Sequence, residues 1–149
     1  MGQQDDAEEF ILKATGTPHP DIALGILAQK IYSARRERDK KLHMPGLFQD
    51  PAWDILLDLF VSHTQNKYIS VMSAGLAGQV PASTALRWVW ALEEAKLVTR
   101  EVDKKDKRRS FVFFTPEGLT YMREVLTAIG SHLQPEPDEQ TLPDPATVK

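Results

Sequence analysis

Residues 81–118 constrain this chain more than any other stretch, because distinct local signals follow one another there without a gap. Behind Pro81, the residues Ala85, Trp88 or Val89, and Leu92 recur three or four apart, the period of a helix buried along one face. Trp88 and Trp90 diverge by about 200° on such a helix, so only one can point inward. The expectation is a core Trp88 and a partly exposed Trp90. Residues 97–102 and 110–114 read as strands, with alternation clearest at Phe111 and Phe113. The seven residues between them hold five positive charges and two aspartates. Thr115, Pro116 and Glu117 then start another helix, with a capping hydroxyl, a proline at the first position and an acid facing the dipole. A helix, a basic-tipped hairpin and a second helix must therefore pack in that order.

The flanks supply the surfaces these elements need. Residues 1–20 read as a flexible acidic arm. Asp21 is placed to cap a helix reaching about residue 41, with Ile22, Ile26, Ala28 or Gln29, Ile31 and Tyr32 as its apolar stripe. The second half of that helix is basic, at Arg35, Arg36, Arg38, Lys40 and Lys41, and serves either as a solvated face or as a phosphate contact. Asp50 and Pro51 start the next helix as N-cap and first residue. Trp53, Leu56, Leu57, Leu59 and Phe60 follow at core spacing, while Asp54 and Asp58 are expected on the outer face. After a turn at Asn66 and Lys67 and a short strand at Tyr68 and Ile69, Ser70 caps a helix over 71–78. Gly75 and Gly78 weaken that helix intrinsically and are read as contact sites for a neighbour. The last helix, to about residue 133, presents Leu119, Met122, Val125 or Leu126, and Ile129. Pro135 and Pro137 end it, and 135–149 reads as a disordered acidic, proline-rich tail.

The net charge of −3 over 149 residues argues at first against a polyanionic partner. Its distribution argues the other way. Residues 22–133 hold 16 of the 18 basic residues and 12 of the 21 acidic ones, a local balance of about +4. Seven of those cations lie in 96–109. The absence of cysteine excludes disulfides and thiolate metal sites. No apolar run is long enough to span a bilayer and no signal peptide is visible, so a soluble cytoplasmic protein without a membrane partner is expected.

An α-helix fits the major groove of duplex DNA, and residues at its start reach base edges. Ser83 and Thr84 are short and polar there, and Arg87 lies one turn on, where a guanidinium can fork onto guanine. The hairpin brings Lys104, Lys105, Lys107, Arg108 and Arg109 to the neighbouring minor groove or phosphates. The fold class expected is mainly α with a small β-hairpin wing, a winged helix-turn-helix.

Asp103, Asp106, Lys107 and Arg108, followed by Thr115 and Gly118, resemble the wing signature of MarR-type regulators. Val80, Ser83, Thr84, Arg87, Leu92, Glu93, Leu97, Val98 and Arg100 fall in the same register. Ala74 and Gly75 stand where the family has Leu-Ala, Lys107 where Arg is commoner, and Lys96 where Gly is frequent. The resemblance implies a homodimer built from the N- and C-terminal helices. It also implies a palindromic operator and a transcription factor, often a repressor relieved by a small-molecule effector. By position it makes Arg108 the minor-groove residue and gives Asp106 the task of shaping the wing through an arginine such as Arg100. Arg35, Arg36 and Arg38 remain candidate phosphate contacts. The organisation expected is an arm over 1–20, the domain over 21–134 with its DNA-binding lobe at about 51–115, and the tail over 135–149.

Catalytic patterns are missing. His19, His43, His63 and His132 are scattered without metal-ligand spacing, and no phosphate loop or nucleophile elbow occurs. The expectation is therefore a non-enzyme with neither metal nor cofactor. The rival reading is a winged helix used as a protein-interaction module without DNA affinity.

Overall fold

The computed structural model describes residues 18–44 and 46–135. The predicted arm and tail lie outside them, apart from 18–20 and Pro135. The elements are α1 (Ile22–Leu42), α2 (Pro51–Thr64), β1 (Ile69–Ser70), α3 (Val71–Gly78), α4 (Ala82–Glu94), β2 (Val98–Val102), β3 (Ser110–Phe114) and α5 (Pro116–Leu133). The sheet has the order β1-β3-β2, all antiparallel. Register runs from Val98 opposite Phe114 to Val102 opposite Ser110, which makes β2, β3 and the loop over 103–109 a regular hairpin. No helix among the described residues is long and apolar enough to cross a membrane.

The apolar α2 is the centre of the molecule. Ile55, Leu57, Leu59 and Phe60 are buried and meet Val89 and Leu92 of α4, Val98 of β2, Val112 of β3, and Met122 and Leu126 of α5. Burying a side chain of this size contributes roughly 1.5–3 kcal/mol, so this cluster holds the helices to the hairpin. In α3 a Cβ on Gly75 would stand 3.0 Å from the Cβ of Ala85, so the glycine lets α4 approach closely. Gly118 is tighter still, since a Cβ there would overlap the carbonyl of Leu97.

Two predicted caps hold. Ser70 accepts from the N–H of Ser73 at 3.1 Å, and Thr115 accepts from Gly118 at 2.9 Å while donating to the carbonyl of Lys96 at 2.6 Å. Neither Asp21 nor Asp50 makes a side-chain cap. The carboxylate of Asp21 is taken instead by Arg123 of α5, at 2.9 Å to each oxygen, and by His63 at 3.1 Å. These partners, Arg123 foremost, hold the carboxyl of Asp21 below its ordinary value.

Other expectations are corrected by packing. Asp54 is not on an outer face: it is 1% exposed and receives Arg35 Nε at 2.6 Å and Arg36 Nη2 at 2.9 Å. A helix face that meets another helix can bury a carboxylate when cations arrive with it. Asp58 is half-buried, and burial pushes its carboxyl up. Val89 fills the core position, whereas Trp88 is 38% exposed. The smaller β-branched side chain fits beneath the hairpin, and both tryptophans face outward. On β3 the buried residue is Val112, and Phe111 and Phe113 meet Tyr68 on the opposite face at 5.5 and 5.4 Å between rings. On α5 it is Leu126 that is buried, and Val125 is exposed.

Candidate nucleic-acid interface

α3 and α4 are joined by a turn in which Gln79 adopts the left-handed conformation. With Gly75 against Ala85, the first turn of α4 is carried clear of the core. Ser83 and Arg87 are exposed there, and Thr84 is half-buried. The opposite face, at Ala85, Val89 and Leu92, is buried, so side chains at the start of α4 are held by packing behind them.

The hairpin tip organises itself locally. Asp103 accepts from the N–H of Lys105 at 2.8 Å, and the N–H of Asp103 donates to the carbonyl of Arg109 at 3.0 Å. Asp106 accepts from the N–H and from Nε of Arg108, both at 3.1 Å. The Arg108 guanidinium, with that backbone N–H, holds the Asp106 carboxyl below its usual value. Arg108 nonetheless keeps 90% of its side chain accessible. Lys104, Lys105 and Lys107 are exposed, and Arg109 lies over the ring of Phe111 at 5.3 Å.

The carboxylate expected to pair with an arginine such as Arg100 bonds Arg108 instead. Arg100 reaches back to α4, where Glu93 accepts from it at 3.2 Å and the ring of Trp90 lies 5.7 Å from its guanidinium. Glu93 and Trp90 are therefore positioning residues for Arg100 that sequence reasoning did not assign. Their hint was an acid and an aromatic three residues apart on the helix that the strand folds against.

Ser83 of α4 and Arg100, Arg108 and Arg109 of the hairpin border one open cleft of about 750 Å³. Ser70, Ser73, Met72 and Leu86 also line it. The exposed guanidiniums of Arg108 and Arg109 on its rim are suited to an oxyanion such as a phosphate, whereas that of Arg100 is held by Glu93.

The basic half of α1 does not join this surface. Arg35 and Arg36 are drawn inward to Asp54, and Arg36 also lies over Tyr32 at 5.0 Å. Arg38 pairs with Asp39 and donates to the carbonyl of Phe48 at 2.7 Å. None of these three candidate phosphate contacts lines the cleft, and Arg35 and Arg36 are largely buried against Asp54. The fold does bring together two of the scattered histidines: His19 and His63 meet edge to face at 4.6 Å, with Asp21 beside them.

No protein-family model matches the chain, and no curated protein matches it. Solved structures do. AF1382 from Archaeoglobus fulgidus is 19% identical with a TM-score of 0.51, over 66% of this chain and 99% of its own. A mutant of S. aureus MepR bound to an oligodeoxyribonucleotide is 21% identical with a TM-score of 0.50, over 77% and 83%. AbsC, a MarR family transcriptional regulator from Streptomyces coelicolor, is 20% identical with a TM-score of 0.49, over 70% and 67%. At these identities the likeness is one of fold.

Proposed function

We propose that this chain, which has the winged helix-turn-helix fold, is a sequence-specific regulator that binds double-stranded DNA. The observation that carries the reading is the shared cleft: Ser83 at the start of α4 and the arginines of the hairpin look onto one surface. In this reading α4 enters the major groove, with Ser83, Thr84 and Arg87 at base edges. Lys104, Lys105, Lys107, Arg108 and Arg109 reach the minor groove and the flanking phosphates. A solved MepR structure of the same fold is a complex with an oligodeoxyribonucleotide, which supports the reading. Exposed Tyr121, Val125 and Leu133 on α5 favour pairing with a second copy. A two-fold pair would read a palindromic operator as a transcriptional repressor, released by a small ligand, in the cytoplasm and without a cofactor.

Affinity for random-sequence duplex DNA, followed by fluorescence anisotropy across a salt series, tests the reading. Log affinity should fall linearly with log salt, with a slope of about −0.9 per phosphate contact. Absent or salt-independent binding would favour the second reading, a winged-helix protein-interaction module. Exposed Met72 and Leu76, one turn apart on α3, are the observation on its side.

A further inference from the structure

We propose that His19, Asp21 and His63 form a site for a divalent transition metal of the zinc class, which competes with Arg123 for the carboxylate. The residues come from the segment before α1, the first capping position of α1 and the end of α2, so no sequence spacing announces them. One ligand atom from each lies within 4.8 Å of the others. Two imidazoles and one carboxylate, leaving a position for water, are a donor set suited to Zn²⁺ and its neighbours Co²⁺ and Ni²⁺.

The distances show how much must change. Metal–ligand bonds of about 2.0–2.1 Å in a tetrahedron place neighbouring ligand atoms about 3.3 Å apart. His63 Nε2 and Asp21 Oδ2 are already 3.1 Å apart. His19 is the ligand that must close in. It lies outside the helices, half-exposed, and the backbone N–H of Asp21 holds it nearby by donating to Nδ1 at 3.0 Å.

Arg123 makes the site conditional. Its guanidinium forks onto both oxygens of Asp21 at 2.9 Å, and a cation entering the cluster meets that charge. The arginine side chain is 44% exposed on α5, so it can swing into water when a metal takes the carboxylate. The surrounding geometry therefore supports two alternatives. In one, the carboxylate ties α1 to α5 through Arg123; in the other, it ties the start of α1 to the end of α2 through a metal.

Co²⁺ added to the full-length protein, with no DNA present, provides the test. Low-coordinate cobalt should give visible d–d bands that saturate at one equivalent and are abolished by Zn²⁺. His19→Gln, which alters no helix, should lose the bands while its far-UV circular dichroism stays unchanged. Arg123→Gln should bind Co²⁺ several-fold more tightly, because the competing cation is gone. Zn²⁺ should raise the melting temperature of the wild type and not of His19→Gln. Lack of bands at one equivalent, bands that survive His19→Gln, or weaker binding by Arg123→Gln would each overturn the site. DNA affinity does not enter these measurements, so their outcome is independent of the regulator reading.

Discussion

In the first turn of α2, Asp54 receives Arg35 and Arg36 of α1 at 2.6 and 2.9 Å, away from water. One nitrogen of each guanidinium is buried with no acceptor among the described residues, so Asp54 is their main compensation. Truncating it leaves Arg35 without that carboxylate and Arg36 with Asp39 at 3.1 Å. Asp54→Ala is expected to cost about 3 kcal/mol in urea unfolding, whereas an exposed pair contributes less than about 1 kcal/mol. Asp58, one turn away, acts in the opposite sense. Its folded pKa is raised by burial, so the native state takes up its proton before the unfolded chain does. Its charge therefore costs stability above the folded pKa, and that cost disappears as pH falls through it. Asp58→Asn should be more stable than wild type at pH 7, and the gap should close in the acid range. An Asp58→Asn protein no more stable at pH 7 would show that the carboxylate has a compensating partner. Neither behaviour was legible in the sequence. Asp54 and Asp58 follow one outward-looking helical spacing, and only the approach of α1 distinguishes them.

Among the elements, the junction of α4 and β2 joins the second helix of the helix-turn-helix to the hairpin. Lys96 is left-handed there, at φ 63°, and the N–H groups of Lys96 and Leu97 return to the carbonyls of Glu93 and Leu92. This is a Schellman ending, whose left-handed position favours glycine. Lys96→Gly is expected to add roughly 0.5–1 kcal/mol in thermal or urea unfolding, and a loss would mean that the lysine side chain contributes packing. Under the DNA reading, the two ends of the unit should respond differently to mutation. Arg108→Ala should weaken binding to all sequences and reduce the salt slope by about one. Arg87→Ala should cost roughly 1–3 kcal/mol and relax selectivity at one base pair per half-site. Unchanged selectivity in the second variant, measured by competition among operator mutants, would mean that another face of α4 reads bases. Elements were the most legible scale. Ser70 and Thr115 cap as their local patterns predict, because capping involves only the next few residues. Asp21 and Asp50 carry the same local signal and do not cap, and the carboxylate of Asp21 goes to an arginine 102 residues away. On α4 the stripe admitted Trp88 or Val89, and Trp88 was the expected core residue, but the fold buries Val89 and leaves Trp88 38% exposed.

For the whole molecule, the winged helix-turn-helix was readable because its central stretch is contiguous, while the cleft combines side chains from separate elements. Arg100 illustrates the difference: its position in β2 follows from pattern, but its pairing with Glu93 follows from how the hairpin folds back. Sedimentation at low salt should give a dimer for the full chain, with half-sites about 10–10.5 bp apart in footprints. A monomer at micromolar concentration would remove the palindrome from the reading. α1 also reaches the helix that precedes α4. Tyr32 donates to the carbonyl of Ala77 at 3.0 Å, Arg36 reaches the same oxygen at 3.4 Å, and Arg36 grips Asp54 as well. That carbonyl belongs to the last turn of α3, one short turn before α4 begins. The long helix is thus hydrogen-bonded to the last turn of α3. Through that one carbonyl, Tyr32 and Arg36 anchor the end of α3 to α1 at the side from which α4 begins.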